Sequence, residues 1–278
     1  MNPSATNLTL VGRWDEAWAG VRLPLEHYRQ PHALLLNDIL DVLDRYLPRG
    51  KATVLKVGGA PGPYLAYIHK THGHEVHCLD YSPVGCEVTR RNFAALGIPG
   101  FVHEMDLMDP TSRLGPFDVA YSLGVIEHFA DLPQVVARHL AFVKPGGLLA
   151  LGCPNFRGVN EWFMRRMAPK LLAEHNLDTM TLGRWCEFEQ QHGLQPLFKG
   201  YLGGFDPELL KRCEVVNTTN GALYFGLQVL GVIRRWRTRL GLPRLGNAPW
   251  FSAYLMGVYR VSDAAPSAGP GRSAALRL

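Results

Sequence analysis

A glycine-rich turn and an aspartate further along the chain are well suited to hold a ligand. The stretch VLKVGGAPG, residues 54–62, has the pattern of a buried strand that breaks into a turn before a helix. Backbone N–H groups in such a turn can approach a ligand closely. Asp80 ends the next predicted strand, where a carboxylate can accept both hydroxyls of a ribose. We therefore predict a site for an adenosine-containing cofactor, with capping of the Ser82-Pro83 turn as the alternative role for Asp80.

The turn lacks the glycine spacing of a dinucleotide site. It reads Gly58-Gly59-Ala60-Pro61-Gly62, and no glycine follows where G-x-G-x-x-G requires one. Because those glycines allow the backbone to approach the pyrophosphate and the helix to pack on the strand, this sequence disfavours a dinucleotide. A nicotinamide-dependent oxidoreductase is retained only as an alternative.

Histidines supply the candidate proton acceptors, since imidazole titrates near neutral pH. His128 follows Glu127 in the loop after the fourth predicted strand, and it could take a proton from a substrate hydroxyl, orient the substrate or bond to the backbone. Four other histidines lie close together in the sequence and could be considered as ligands of a metal. Two of them fall at a helix end and in the loop after it, where the helix dipole favours a charged imidazolium instead. We predict no metal at these residues, which are His69, His72, His74 and His77.

Alternating strands and helices would bring these residues to one edge of a sheet. The pattern predicts a helix over 32–46, ended by Pro48 and Gly50, and then five strands separated by helices. Asp131 with Gln134 three residues later has the pattern of a helix N-cap. Strands and helices at this spacing imply right-handed βαβ units and a largely parallel sheet. The predicted strands are 54–57, 75–80, 101–105, 117–125 and 148–154.

Five segments, in this order, resemble the motifs of class I S-adenosylmethionine-dependent methyltransferases of the small-molecule type. The glycine turn resembles G-x-G-x-G with Ala60 in the middle, and the other segments are CLDYS, HEMDLMD, FDVAYSLGVIEHFAD and VKPGGLLALGCPN. They cover residues 54–155, and HNLDTMTLGRWCEFEQQHGL resembles a segment often found after the fifth strand. The resemblance implies an α/β fold, a Rossmann-like doubly wound sheet that is mostly parallel with an antiparallel last strand, plus helical lid insertions.

The resemblance also implies S-adenosyl-L-methionine as the cofactor and places its contacts. The glycine turn would approach the methionine part, Asp80 would hold the ribose, and Tyr81 would flank the adenine. Asp106 would lie near the adenine amino group, although Asp109 before Pro110 shows that a turn aspartate is the alternative in this segment. His175 resembles a histidine near the mouth of the family's active site and joins His128 as a catalytic candidate. The expected cofactor-binding residues are Lys56, Gly58, Gly59, Ala60, Gly62, Asp80, Tyr81, Asp106, Leu107, Ser122, Leu123 and Gly124.

Lys56 departs from the family pattern, which commonly has Asp or Glu at this position to hold the cofactor's ammonium group. A lysine removes that attraction and could add repulsion, contact the cofactor's carboxylate, or point away. The expected reaction is transfer of the sulfonium methyl to a small-molecule acceptor, first of all to an oxygen, for which the protein mainly supplies alignment. Because of Lys56, a cofactor-binding protein without catalysis is kept as an alternative.

Composition limits the remaining possibilities. The chain has 278 residues, 47% of them hydrophobic, which suits one main domain, and its net charge of +5 includes no long basic block that would favour nucleic acid. Its five cysteines lie singly without a C-x-x-C pair, so we predict a reducing cytoplasmic location without disulfides or zinc. The start lacks a secretory pattern, and the longest apolar run, 221–233, is too short to span a bilayer.

Two helical segments outside the five motifs are predicted to be lids. Trp14, Trp18 and Tyr28 could form an N-terminal lid that stacks on substrate, or they could pack within their own helix. The stretch Gly221 to Leu240 combines an apolar side with Arg234, Arg235, Arg237 and Arg239; we favour a lid, with peripheral membrane contact as the alternative. The predicted division is an N-terminal lid (1–50), a cofactor-binding core (51–155), a helical insertion (156–205), a second lid (206–249), a last strand (250–261) and a disordered tail (262–278).

Overall fold

The computed structural model contains one seven-stranded sheet in the order β3-β2-β1-β4-β5-β7-β6. It describes residues 7–111, 113–210, 214–215, 217–244 and 246–263. The strands β1 to β5 run parallel, and β7 lies antiparallel between β5 and β6. This confirms the predicted doubly wound α/β fold with its antiparallel last strand. The strands are β1 (Thr53–Val57), β2 (Glu75–Asp80), β3 (Phe101–Glu104), β4 (Phe117–Leu123), β5 (Val143–Pro154), β6 (Gln195–Phe205) and β7 (Ser252–Arg260).

Helices connect the strands, and several begin as the sequence predicts. Ser82 accepts a hydrogen bond from the Gly85 N–H, and Asp131 accepts one from the Gln134 N–H, so the predicted cap at Asp131 is confirmed. The described helices are α1 (Val11–Ala19), α2 (Leu34–Tyr46), α3 (Pro63–His72), α4 (Pro83–Leu96), α5 (Leu132–Leu140), α6 (Val159–Met167), α7 (Pro169–Ala173), α8 (Leu182–Gln191) and α9 (Thr218–Arg239).

Apolar side chains fill both faces of the sheet. Leu55, Leu149 and Leu151 belong to the core on one face, which also takes in Trp185 and Phe188 of α8. Residues that alternate with them along the strands form the core on the other face, together with side chains from α2 and α3. This burial on both faces is what a mainly parallel sheet covered by crossover helices requires.

The main differences from the predicted elements lie at strand ends. Strand β5 begins at Val143 rather than 148, because the sheet already takes in the Lys144-Pro145-Gly146 turn, and β4 ends at Leu123 rather than 125. No helix in the described part of the chain is long and apolar enough to cross a membrane. Cys213 and almost all of the tail predicted to be disordered lie outside the described residues. The predicted lids and segment boundaries stay predictions.

Candidate functional site

A cavity of about 350 Å³ opens at the carboxyl ends of β1, β2 and β4. This edge of a doubly wound sheet is where ligands bind, and the volume is typical of small-molecule sites. The cavity brings together most of the residues that the sequence predicts. They are Lys56, Gly58, Gly59, Ala60, Asp80, Tyr81, Asp106, Leu107, Leu123, Gly124 and His128.

The glycine turn exposes bare backbone to this cavity because side chains do not fit there. Gly58 has φ of 59°, and a Cβ on it would lie 2.5 Å from Val125 Cγ2. A Cβ on Gly59 would lie 2.6 Å from Cys78 Sγ and 2.9 Å from the Lys56 carbonyl oxygen. Ala60 is accommodated, and its N–H donates to Asp80 at 3.0 Å. The turn is therefore the backbone surface that a cofactor could approach.

Asp80 lies at the end of β2 with its carboxylate held in place. One oxygen accepts from the Ala60 N–H and the other from the Ser82 N–H, each at 3.0 Å. Burial raises the pKa of Asp80, and these hydrogen bonds and the charge of Lys56 oppose that rise. Each oxygen retains a lone pair, so the carboxylate can still accept from two hydroxyl groups. Asp80 thus has both functions that its sequence position allows, a turn cap and a cavity carboxylate.

Lys56 points into the same cavity, and it is only 5% exposed. Its Nζ donates to the Gly58 carbonyl at 2.7 Å and lies 6.0 Å from the centre of the Tyr121 ring. Burial lowers the pKa of Lys56, with Cys78 and Asp80 acting in the opposite direction. Lys56 therefore lines the cavity with its Nζ bonded to the glycine turn, and its role toward a cofactor stays a prediction.

Tyr81 and Asp106 follow the ends of β2 and β3, and both line the cavity. The Tyr81 hydroxyl donates to the Thr9 carbonyl at 3.3 Å, while Asp106 Oδ1 accepts from the Met108 N–H at 2.8 Å. Asp106 therefore stabilises its own turn as well as lining the cavity. Asp109 makes a similar turn with Thr111, outside the cavity.

Three residues predicted for the site lie outside the cavity wall. Gly62 starts α3 in the left-handed region, with φ of 89°, and its Cα faces Phe93 of α4. Ser122 is fully buried in β4 and does not belong to the cavity wall, which Leu123 and Gly124 line. His175 lies behind His128, with 4.5 Å between the ring centres. Gly62 and Ser122 therefore shape the site without reaching the cavity space.

The N-terminal segment, residues 7–27, contributes part of the cavity wall, and we call it the N-terminal cover. The Leu8 N–H donates to the His128 carbonyl at 2.8 Å, and Asp15 accepts from the Ser82 hydroxyl at 2.5 Å. The cover contributes Trp14 and Trp18 to the wall, whereas Tyr28 is 62% exposed and lies outside it.

His128 is held in one tautomer beside a buried acid. Its Nδ1 lies 3.0 Å from the Glu174 carbonyl oxygen and 2.9 Å from the Thr9 hydroxyl oxygen; because the carbonyl can only accept, this geometry assigns the proton to Nδ1 and the lone pair to Nε2. Burial lowers the pKa of His128 to about 4, so the ring is neutral near pH 7. Glu127 Oε1 is 3.9 Å from His128 Nε2, and burial raises the pKa of Glu127 to about 8.

The same two residues and His175 could hold a metal ion, because their ligand atoms all lie within 4.8 Å of one another. His175 Nδ1 contacts the Leu171 carbonyl at 2.7 Å, which again leaves the lone pair on Nε2. Of the four histidines weighed from the sequence, His72 contacts Asp44 and His77 contacts Glu75, and none of the four belongs to a cluster of ligand atoms that could hold a metal in the described part of the chain. The absence of a metal stays a prediction.

Sequence patterns missed part of the cavity wall. His27 lies in the cover, and its ring packs edge-on against Tyr64 of α3, with 4.2 Å between centres. Burial and the nearby charge of Lys56 lower the pKa of His27 to about 4. Neither residue belongs to a motif, and only the fold of residues 20–33 over α3 brings them together. No signal in the sequence indicates this contact.

Comparison with known proteins gives one family. A family described as a methyltransferase domain matches residues 25–201. The ubiquinone biosynthesis O-methyltransferase of Methylobacterium nodulans is 27% identical over 142 residues, which is 49% of this chain. The match spans only 55% of the length of that relative.

Solved structures share the fold at lower identity. Geranyl diphosphate C-methyltransferase from Streptomyces coelicolor A3(2), solved with Mg²⁺, geranyl diphosphate and S-adenosyl-L-homocysteine, has a TM-score of 0.60 and 13% identity. The alignment covers 92% of this chain and 99% of that one. Phosphoethanolamine N-methyltransferase 2 from Haemonchus contortus, solved with S-adenosyl-L-methionine, has a TM-score of 0.53 and 17% identity, over 80% and 52% of the two chains.

Proposed function

Because this chain belongs to the class I S-adenosylmethionine-dependent methyltransferases, we propose that it methylates an oxygen of a small, largely apolar acceptor. The observation that carries the proposal is the cavity, which joins the glycine turn and Asp80 to a neutral histidine beneath aromatic side chains. The name of the curated relative, an O-methyltransferase of ubiquinone biosynthesis, supports oxygen as the acceptor atom.

The residues fit the nucleoside half of the cofactor. Bare backbone at Gly58 and Gly59 leaves room for close approach, and Asp80 is positioned for the ribose hydroxyls. Tyr81 and Asp106 would hold the adenine end. The bound cofactor supplies an electrophilic methyl group, so the protein needs to bind, orient and desolvate the reactants.

His128 would accept the proton of the acceptor hydroxyl. The residue lines the cavity, burial keeps its ring neutral near pH 7, and the contacts of Nδ1 with the Glu174 carbonyl and the Thr9 hydroxyl fix the ring. A proton on His128 would be balanced by ionisation of the neighbouring Glu127. His175 packs against His128 and would orient that ring rather than touch the acceptor.

The acceptor would be apolar because apolar side chains form most of the cavity wall around it. Trp14, Trp18, Leu25, Val125 and Phe129 surround the space beyond the glycine turn. Such walls favour an aromatic or prenylated hydroxyl compound over a charged metabolite.

Transfer of a labelled methyl group from S-adenosyl-L-methionine to a panel of phenols and prenylated phenols tests this function. We expect product with phenols, and a loss of product without loss of cofactor binding in His128→Gln. Calorimetric titration with S-adenosyl-L-homocysteine addresses the second candidate, a binding protein without catalysis, which the position of Lys56 keeps open. Binding without turnover on any acceptor would favour that candidate.

A further inference from the structure

One side of α9 is apolar and faces solvent along most of the helix. Its exposed apolar residues recur at spacings of three and four, so they form one stripe. Phe225 is 70% exposed, Trp236 58% and Leu240 68%. The buried residues of this 22-residue helix are Asn220, Leu227 and Gly231. The outer stripe, as we call it, consists of Phe225, Val229, Val232, Trp236 and Leu240.

The segment that carries the outer stripe has charged residues of one sign. From Thr218 to Ser262 the sequence contains six arginines and neither Asp nor Glu. Arg237 and Arg239 flank the stripe on opposite sides of the helix, at 100° per residue. Arg239 also lies 5.9 Å from the centre of the Trp236 ring.

Two other arginines attach α9 to the domain and leave the stripe outside. Arg234 pairs with Asp206 at 2.9 Å, and Arg235 pairs with Glu208 at 3.3 Å. Near the start of the helix, the Asn220 amide donates to the carbonyls of Arg166 and Val215. The orientation of α9 is therefore set by these polar contacts together with Leu227, which is buried in the core on the inner side of the helix.

The strand order places this insertion at the edge of the sheet that holds the cavity. Strand β7 is antiparallel to both β5 and β6, so β6 runs in the same direction as β5. The carboxyl end of β6 therefore lies at the same edge as those of the parallel strands, and the chain from Phe205 to Ser252 leaves and re-enters there. Among the described residues of 206–249, none lines the cavity.

We propose that α9 docks this protein on the surface of an anionic lipid bilayer. The outer stripe enters the interface between headgroups and acyl chains, where tryptophan is favoured. Arg237 and Arg239 reach the lipid phosphates from either side of the stripe. A second copy of the chain fits this face less well, because a two-fold contact would bring the same arginines together with no acid on α9 to pair with them.

Flotation of the full chain with lipid vesicles tests the docking. We expect it to float with vesicles of phosphatidylcholine and phosphatidylglycerol at low salt, to be released by high salt, and to ignore phosphatidylcholine alone. The pair Arg237→Gln and Arg239→Gln should weaken binding about 30-fold, given the attraction of each basic residue near an anionic surface. Phe225→Ser with Trp236→Ser should weaken it by at least as much.

Matched controls come from the opposite side of the molecule. Phe101→Ser removes a half-exposed aromatic residue from β3, and Arg90→Gln with Arg91→Gln removes two exposed charges from α4. These variants should bind vesicles as the parent does. Docking through α9 is wrong if the parent ignores anionic vesicles, if the controls lose as much binding, or if sedimentation without lipid shows a dimer that Trp236→Ser dissolves. Cofactor titration is measured separately, so a failure here leaves the proposed transferase activity intact.

Discussion

The N-terminal cover and α9 are both amphipathic appendages of the sheet edge, and they turn their tryptophans in opposite directions. Trp14 and Trp18 of the cover line the cavity, whereas Trp236 of α9 faces solvent. Polar contacts help to fix the orientation in each case: Asp15 accepts from Ser82 under the cover, and Arg234 pairs with Asp206 under α9 beside the buried Leu227. The comparison teaches that an apolar stripe alone does not say whether a helix covers a site or docks elsewhere.

This difference separates two functions that can be disturbed independently. Changes beneath the cover should alter chemistry or cofactor binding and leave lipid binding unaffected. Changes on the outer stripe should weaken lipid binding and leave chemistry and cofactor binding unaffected. A variant that disturbed both would show that the two regions act as one lid system.

The largest effect beneath the cover is expected at His128. His128→Gln removes the proton acceptor and should lower kcat about 10²- to 10⁴-fold. The parent's rate should fall as pH drops through about 4, where the imidazole becomes charged, and the variant should lack that limb. His139→Gln is the matched control, since His139 is also buried, bonded to a carbonyl and lowered in pKa to about 4, yet lies outside the cavity. Equal loss of rate in both variants would mean a structural role for His128.

Glu127, which lies beneath the cover, should make the free energy of unfolding depend on pH. Burial raises its pKa in the folded state to about 8, above the unfolded value, so the folded state holds a proton that the unfolded state releases. The stability from this group is present below about pH 4 and is lost as pH rises toward 8, by about 3 kcal/mol between pH 5 and pH 8.

Glu127→Gln keeps the shape of the side chain and removes its titration. Measured by urea unfolding, the variant should gain stability over the parent as pH rises from 5 to 8. Arg237→Gln on α9 should follow the parent at every pH. A constant difference between the parent and Glu127→Gln would show that Glu127 is ionised in the folded state.

Asp80 should control cofactor affinity. Asp80→Ala removes the carboxylate expected to accept two ribose hydroxyls and should weaken binding of S-adenosyl-L-homocysteine by about 2–4 kcal/mol. Because the change also leaves the Ala60 and Ser82 N–H groups without their acceptor, Asp80→Asn serves as the shape-conserving companion. Asp109→Ala, at an exposed turn, should leave the titration unchanged. Unchanged affinity in both Asp80 variants would remove Asp80 from the site.

Lys56 should oppose the cofactor's ammonium group. Its Nζ donates a hydrogen bond to the Gly58 carbonyl of the glycine turn. Because Lys56→Glu replaces a repulsion of the ammonium group by an attraction, it should tighten binding of S-adenosyl-L-homocysteine by about 1–3 kcal/mol. Lys56→Met removes the charge alone and should give an intermediate affinity. Weaker binding in both variants would instead mean that Lys56 pairs with the cofactor's carboxylate.

The sequence predicts the sheet and the part of the cavity wall formed by the glycine turn and Asp80, because those features depend on local patterns. Strand β1, the glycine turn and Asp80 lie close together in the chain, and each has a period or spacing that identifies it. The part of the wall formed by the N-terminal cover depends on contacts between distant segments, and no local pattern encodes them. Examples are the ring contact of His27 with Tyr64 and the hydrogen bond from the Leu8 N–H to the His128 carbonyl. The hydrophobic period of α9 also does not predict which way its apolar stripe faces, because that direction depends on contacts such as the ion pair between Arg234 and Asp206, which only the folded chain brings together.

The smallest expected effect compares the two tryptophans directly. Trp14→Ser removes part of the cavity wall and should raise KM for a water-soluble phenol about tenfold, in line with the loss of one aromatic contact surface. Trp236→Ser should leave that KM unchanged, because α9 contributes nothing to the wall among the described residues. If Trp236→Ser raised KM as much as Trp14→Ser, α9 would have to close over the acceptor during the reaction. The second lid predicted for residues 206–249 would then be correct, and the outer stripe would be the face that meets the cavity when it closes.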